Sequence, residues 1–487
     1  MAKSDAHLVR VPGVNRAFDR RKILFVTLLS LSLSLIQVSS VNVAMPSINT
    51  ALQAHPTDIQ WVLSGYALAF GICLVPFGRL GDVIGRGSVF TIGLAVFALA
   101  SLACGLATSA FALNVFRVFQ GIGAGMQGPQ SVGMIQQYFS GQGRARAYSL
   151  NGMVVAASVA VGPLATGLLI NWLGSEIGWR MPFILNCPIG LCGCLLALRW
   201  FPFERERAHF RSGEAHFFRV DLDPLGALLL TGAVVAVMLP FMLVDAPTTR
   251  FWILAGAPVF AALWLLWEWR YGKAGREPMV DLSLLRLKSF AHQSVISAMD
   301  FLGVTSIFVI VAMFLQDGLG WTALHSSLIG LPDAVLSCLA AMWAGKRILR
   351  YRNKLIATAL AFVVLGAVTT CLAVWLEMAY GISPWWMLLT LAFYGAGQGM
   401  FVSANQTLAM ADVPLAMAGT AGGVKSMTER VSTAVGNAVM TGIFFSVLTF
   451  AGYHEAAMAS YAAIAAIVTA TLALASAYML YETRAQR

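Results

Sequence analysis

Residues 110–135 read AFALNVFRVFQGIGAGMQGPQSVGMI, a run with one charged side chain, Arg117, and with glycines at 121, 123 and 125 ahead of Met126. Roughly 20 mostly apolar residues cross the ~30 Å hydrocarbon core of a bilayer as a helix, so this stretch is read as a membrane span. The pattern returns at 395–400, GAGQGM, with Gly395, Gly397, Gly399 and Met400 inside another apolar run. Small residues let helices approach closely, which alone explains glycine in a single span. Their recurrence at matching places in the chain points instead to a duplicated bundle.

Outward from these two runs, comparable stretches lie near 23–48, 59–79, 88–108, 110–135, 146–172 and 181–202, then near 224–245 and 251–269, then near 289–316, 324–345, 354–377, 384–409, 417–449 and 456–481. The count is six, two, six, and each glycine repeat occupies the fourth run of its six. Each run is continuous in Leu, Val, Ala, Phe and Gly, without the period-2 alternation of barrel strands. The expected fold is an all-α membrane protein of about 14 transmembrane helices. Its parts are a tail at 1–22, a six-helix bundle at 23–202, a linker at 203–223, a two-helix insertion at 224–270, a second linker at 271–288, a second six-helix bundle at 289–481 and a tail at 482–487.

Composition agrees: 58% of the 487 residues are hydrophobic and 11% are charged, against about 25% charged in soluble domains. The net charge of +10 raises the question of nucleic acid, and the placement of the cations answers it. With the N-terminus inside, the cytoplasmic side collects Arg10, Arg16, Arg20, Arg21, Lys22, Arg86, Arg144, Arg146, Arg205, Arg207, Arg211 and Arg219. It also holds Lys273, Arg276, Arg286, Lys288, Lys346, Arg347, Arg350, Arg352 and Lys354, while outer loops hold only Arg180 and Arg250. That is the positive-inside pattern. It favours an even number of spans, both termini in the cytoplasm, location in the cell membrane, and a bilayer rather than nucleic acid as partner. The basic N-terminal segment runs into a span too long for a signal h-region, so no cleavable signal peptide is expected. All seven cysteines fall inside spans, and neither a disulfide framework nor a metal site is expected from them.

Four motifs go further. The loop between the second and third runs reads Gly78-Arg79-Leu80-Gly81-Asp82-Val83-Ile84-Gly85-Arg86; the fourth run carries Arg117-Val118-Phe119-Gln120-Gly121; the fifth carries Gly162-Pro163-Leu164-Ala165-Thr166-Gly167; the first ends Val41-Asn42-Val43-Ala44-Met45-Pro46-Ser47-Ile48, followed by Gln60-Trp61 and Tyr66. Together these resemble the major facilitator superfamily, in particular its fourteen-span drug:proton antiporter branch, over nearly the whole chain. The resemblance implies gating roles for Gly78, Arg79, Asp82, Gly85 and Arg86 in the first motif, for Gly162, Pro163 and Gly167 in the antiporter motif, and for Arg430 in TAGGVKSMTER. Physically, glycines permit the tight turn, and Asp82 can sit at a helix N-terminus or pair with Arg79 or Arg86. Pro163 removes a helix hydrogen bond and bends its span, while Gly162 and Gly167 allow close helix contact. Three positions depart from the pattern: Val83 stands where a basic residue is usual, Thr166 replaces a glycine, and Gln37 replaces the aspartate found five residues before the asparagine. A glutamine carries no exchangeable proton at working pH, so a proton carrier must be sought elsewhere.

Ionisable groups inside spans are functional candidates by default. The carboxylates there are Asp300, first choice because its run opens the second bundle as Gln37's opens the first, then Asp333 behind Pro332, then Glu429, with Arg117 as a cation able to tune a neighbouring acid. Each also admits a structural reading: a polar contact for Asp300, a helix break for Asp333, a local i,i+4 salt bridge with Lys425 for Glu429, and snorkelling or carbonyl bonding for Arg117. Substrate-cavity candidates are Gln37, Asn42, Gln60, Tyr66, Gln120, Gln127, Gln398 and Asn405, each equally able to serve as an interhelical hydrogen bond.

Neither a nucleophile–base cluster, metal-ligand spacing nor a Walker-type phosphate loop is present in the sequence, so an enzyme is not expected, nor a cofactor, a metal or ATP. The expectation is a secondary active transporter, working as a monomer, that exports amphipathic or cationic compounds in exchange for protons by alternating access between internal repeats. The alternative, which Gln37 favours, is an importer or facilitated-diffusion carrier for a polar metabolite.

Overall fold

Segments apolar on all faces wind into long helices because hydrocarbon offers no water to their backbone N–H and C=O groups. The computed structural model describes residues 8–10, 17–53, 56–204, 206, 223–242 and 248–485. The first set comprises α1 (Arg20–Leu52), α2 (Pro56–Ile84), α3 (Arg86–Gly105), α4 (Ala110–Tyr138), α5 (Gly141–Gly178) and α6 (Met181–Trp200). The insertion is α7 (Pro224–Met242) and α8 (Gly256–Lys273), followed by the short α9 (Ser283–Arg286). The second set comprises α10 (Lys288–Val304), α11 (Ile307–Ala312), α12 (Ala323–Ile329), α13 (Leu331–Tyr351), α14 (Asn353–Tyr380), α15 (Met387–Ala409), α16 (Ala418–Leu448) and α17 (Tyr453–Ala485). Ahead of α1, in the segment read as a tail, Leu8–Arg10 (β1) pairs antiparallel with Ala17–Asp19 (β2).

Helix ends follow local chemistry. Asp19 caps α1 by accepting from Arg21 N at 2.9 Å, Ser109 caps α4 through Ala112 N at 3.2 Å, and α14 stops at Gly381, which adopts φ 64° and bonds back to Glu377 O at 2.8 Å. Eleven helical segments among the described residues are long and apolar enough to cross a membrane. Outside that count are α4, diluted by Gln120, Gln127, Gln130 and Gln136, α13, diluted by Asp333, Lys346, Arg347 and Arg350, and α7, whose apolar stretch is short. Side chains such as Ile92, Leu99, Leu195, Leu198, Val368 and Leu389 are exposed, as expected where lipid is the solvent.

The chain divides into two compact units, one of residues 1–140, 168–287 and 412–427, the other of 141–167, 288–411 and 428–487. Each is organised around its fourth long helix. In the first unit α4 packs on α2 and α3. A Cβ on Gly121 would lie 2.5 Å from Tyr66 O of α2, on Gly123 2.5 Å from Phe97 N of α3, and on Gly125 2.5 Å from Cys73 Cβ of α2. In the second unit α15 packs on α13 and α14. A Cβ on Gly395 would lie 2.2 Å from Asp333 O of α13, on Gly397 2.6 Å from Val363 Cγ2 of α14, and on Gly399 2.0 Å from Ser337 O of α13. The order second, third, second helix is the same in both, which is the duplication read from the glycines.

One span is interrupted inside. The run read as a span at 289–316 is the apolar segment Lys288–Gly318, in which α10 ends at Val304, the chain turns at Thr305-Ser306, and α11 leads into a wider π turn over Met313–Gly318. No proline causes this break. Polar neighbours hold it: Tyr394 donates its hydroxyl to Val304 O, and Ser306 Oγ donates to Asn437 Oδ1 at 2.9 Å. The freed backbone therefore keeps a partner where hydrocarbon would give none.

Candidate functional site

Three polar centres stand out, two in the first unit and one in the second. The first is the turn between α2 and α3. Asp82, 1% exposed, accepts from Gly419 N at 2.9 Å and Thr420 N at 2.7 Å, the first amides of α16, and from Thr420 Oγ1 at 3.0 Å. A carboxylate on unsatisfied amides at a helix N-terminus is favoured by both hydrogen bonding and the helix dipole. Arg86 closes the arrangement with two bonds to Asp82 Oδ1, at 3.0 and 2.7 Å, and others to Gly133 O, Gln137 Oε1 and Leu415 O. Glycine is needed at 78, where a Cβ would sit 2.7 Å from Gly419 O, and at 85, where φ is +123°.

Arg79 takes no part in the Asp82 pair; it binds Glu277 from the segment before α9. On the other side of the turn Glu206 accepts from Gly87 N at 2.8 Å and from Ser88 N at 3.0 Å and Ser88 Oγ at 2.5 Å, capping α3. Burial pushes the Glu206 carboxyl above the ordinary carboxylate range, opposed by those hydrogen bonds and by Arg86. Neither glutamate was a sequence candidate. Both lie in stretches read as linkers, where an isolated acid among charges carries no periodic signal.

The second centre is Arg117, 1% exposed in α4. Its Nε donates to Val62 O at 2.8 Å and its Nη1 to Gln120 Oε1 at 2.6 Å; Gln120 Nε2 passes on to Ser101 Oγ at 2.6 Å, and the guanidinium lies 4.3 Å from the Tyr66 ring centre. Among the described residues no carboxylate pairs with it. Gln37, fully buried, accepts from Asn186 Nδ2 of α6, and Gln127 accepts from Ser30 Oγ of α1. These candidates are tied into helix-to-helix bonds. Asn42 is exposed, and the Gln60 side chain lies outside the described residues.

The third centre is in the second unit. Asp300, fully buried in α10, accepts from Gln398 Nε2 of α15 at 3.1 Å. One turn earlier Ser297 Oγ donates to Glu429 Oε1 of α16 at 2.7 Å, so both acids meet within one turn of α10, Asp300 as its own residue and Glu429 from α16. Asp333 opens α13 with its backbone wedged against Gly395, and Tyr394 lies within electrostatic reach of both Asp300 and Asp333. Asn405 belongs to a separate network, donating to Gln293 O at 2.9 Å and Gln293 Oε1 at 3.0 Å while Gln293 donates to Asn353. Arg430 follows Glu429 on α16, half-buried. Residues missed in the sequence are Ser297, Tyr394 and Asn437, short or aromatic polar groups that resemble ordinary span residues until their partners are seen.

The motif Gly162–Gly167 lies inside the fifth helix. α5 continues through Pro163, and its one non-helical residue is Gly174, φ 80°. A Cβ on Gly167 would meet nothing within 4 Å. Gly162 and Pro163 fall in the part of α5 that belongs to the second unit.

A family model described as Major Facilitator Superfamily matches residues 27–437. Among curated relatives, the chain is 29% identical to a probable actinorhodin transporter of Streptomyces coelicolor, covering 85% of this chain and 71% of that one. It is 28% identical to a tetracenomycin C resistance and export protein of Streptomyces glaucescens, covering 85% and 74%, and 23% identical to a riboflavin transporter of Clostridioides difficile, covering 88% and 89%. Among solved structures, the major facilitator proton:xylose symporter XylE superposes with a TM-score of 0.66 at 14% identity, covering 92% of this chain and 94% of that one. At that identity the likeness concerns the fold.

Proposed function

This chain belongs to the Major Facilitator Superfamily, and from that premise we propose that it is a proton-coupled exporter of amphipathic or cationic compounds, acting by alternating access with its basic loops in the cytoplasm. Fourteen spans follow if α4, α7 and α13 join the eleven apolar segments. Two antibiotic-related relatives, one of them named for export, support the direction of transport.

The observation that carries the coupling reading is Asp300. A carboxyl with no exposed surface, inside an apolar bundle and held by the neutral amide of Gln398, is where a proton and a cationic substrate would compete for one negative charge. Glu429 of α16, bonded to Ser297 one turn before Asp300, supplies a second acid beside α10. The fixed partners of Gln37 and Arg117 suit a scaffold better than a carrier. A second reading, a carrier for a polar metabolite without proton coupling, is favoured by the Gln37–Asn186 amide pair.

The test is accumulation of a fluorescent cationic dye in efflux-deficient cells, with and without protonophore, for wild type and Asp300→Asn at matched expression. Reduced accumulation that protonophore and the substitution both abolish supports the proposal. Full extrusion by the variant moves coupling away from Asp300. No extrusion by well-expressed wild type favours the metabolite carrier.

A further inference from the structure

The broken span of the second unit has two differently built ends. Its Lys288 end is a regular helix, α10, whereas beyond the turn at Thr305-Ser306 the chain runs as six residues of α11 and then the π turn Met313–Gly318. The backbone bonds that follow are irregular, with Leu319 N on Phe314 O at 3.1 Å, Gly320 N on Gln316 O at 3.1 Å and Trp321 N on Leu315 O at 2.9 Å. π turns inside helices concentrate at functional positions. This half of the span is therefore a short piece bounded by a break at one end and a loosened turn at the other.

What fastens the loosened end is a titratable pair. His454, the second residue of α17, bonds through Nε2 to Glu377 Oε2 in the last turn of α14. The Phe314 ring, fully buried in the π turn, packs on the imidazole in a T-shaped pair with centroids 5.2 Å apart. Next to it, a Cβ on Gly318 would lie 2.9 Å from Tyr453 Cβ, so residues 453 and 454 grip the π turn at two points. The side chains of His454 and Glu377 are 25% and 19% exposed, buried enough for the pair to matter yet reachable by protons from solvent.

Neighbouring elements bring further side chains to this end of the bundle. Glu455, on its own helix, accepts from Gly452 N at 3.0 Å; Asp317 is carried by the π turn; α16 contributes the Phe444 ring, 6.2 Å from Tyr453. Glu377 is the acid bonded to the imidazole.

We propose that His454 and Glu377 form a pH-sensitive latch that holds residues 307–318 against α14 and α17. Imidazole gains its charge between about pH 8 and pH 5. In acid the contact is an ion pair and the latch tightens; as pH rises it becomes a hydrogen bond to a neutral ring and the segment loosens, pivoting at Thr305-Ser306. In the proposed topology this end faces outward, so outside acidity would hold the segment shut.

Hydrogen–deuterium exchange of the purified protein in lipid nanodiscs tests this at about pH 5.5 and about pH 8, after correction for intrinsic rates. Peptides spanning 313–320 should exchange about fivefold more slowly at the lower pH in wild type, the effect of a partly buried ion pair. His454→Gln and Glu377→Gln should each abolish that difference, and Asp300→Asn should keep it. Equal protection of wild type at both pH values overturns the proposal, as does a difference that survives Glu377→Gln. Should His454→Gln fail to fold, Glu377→Gln reads the latch alone. The readout is exchange and not transport, so failure of the latch and failure of coupling through Asp300 are distinguished.

Discussion

The fourth helices of the two units, α4 and α15, use one packing solution and carry opposite cargo. In each, three glycines two residues apart let the helix touch its second, third and second partners in turn at distances where no Cβ fits. Yet α4 buries the cation Arg117, bonded to a carbonyl, an amide and a ring face, whereas α15 offers the neutral Gln398 to the acid of another helix, Asp300. The two helices share what backbone proximity demands and differ in the polar groups they carry. The cation is bonded to a carbonyl and an amide and covered by a ring face; the acid counts a neutral amide among its partners, and an amide tolerates either protonation state. On the proposed reading, that asymmetry suits one unit to structure and the other to coupling.

The largest expected effect tests that division directly. Arg117→Ala removes a fully buried side chain and strands Gln120, so a loss of about 3 kcal/mol of stability is expected, the lower part of the range for breaking buried charged networks. Asp300→Asn keeps the shape and an oxygen that can accept from Gln398 Nε2, so it should cost less than about 1 kcal/mol while removing the proton site. Thermal unfolding in detergent, read beside dye extrusion, separates the two. If Asp300→Asn unfolds as readily as Arg117→Ala, the comparison fails and Asp300 is a structural residue.

A smaller effect sharpens the half of the comparison that claims identity. Gly125→Ala and Gly399→Ala place a methyl 2.5 Å from Cys73 Cβ and 2.0 Å from Ser337 O, and each should cost about 2 kcal/mol through helix displacement. Gly128→Ala meets nothing nearer than Leu74 Cδ2 at 3.5 Å, so it should be neutral or stabilise by up to about 1 kcal/mol through helix propensity. Matched losses at 125 and 399 support one ladder used twice. A tolerated Gly399→Ala would mean that α13 and α15 are free to part.

How far the molecule could be read in advance follows from the kind of signal each feature leaves. Apolar runs and the glycine repeat are periodic, and from them the helices and the duplicated frame were legible. Asp82 was legible as an acid able to cap a helix or pair with an arginine, because its neighbours in sequence form the turn that presents it. The helix it caps is Ala418–Leu448, 337 residues away at Gly419 N, and no local pattern names that partner. The break at Thr305-Ser306 was hidden because no proline marks it; it depends on Tyr394 and Asn437 from other helices. A glycine has the same letter whether it touches a neighbour, as Gly125 does, or faces open space, as Gly167 does, so the sequence does not tell the two apart.

The smallest effect concerns the first unit alone, and asks whether its charges are as static as the comparison holds. Glu206 caps α3 with both carboxylate oxygens on amide and hydroxyl donors, and burial still holds its proton affinity above the ordinary carboxylate range. A group that binds protons more tightly folded than unfolded adds stability as pH falls and loses it as pH rises through the folded value. Glu206→Gln removes that dependence. Its amide nitrogen also turns a donor toward donors, so the variant should be modestly less stable at every pH. The difference in unfolding midpoint between wild type and variant should therefore widen as pH falls from the neutral range toward the ordinary carboxylate range, and narrow above it. A difference that stays constant with pH would show that Glu206 is ionised throughout, with its hydrogen bonds to Gly87 and Ser88 outweighing burial. The turn next to Asp82 would then carry a permanent charge, and the first unit would be static at both of its polar centres.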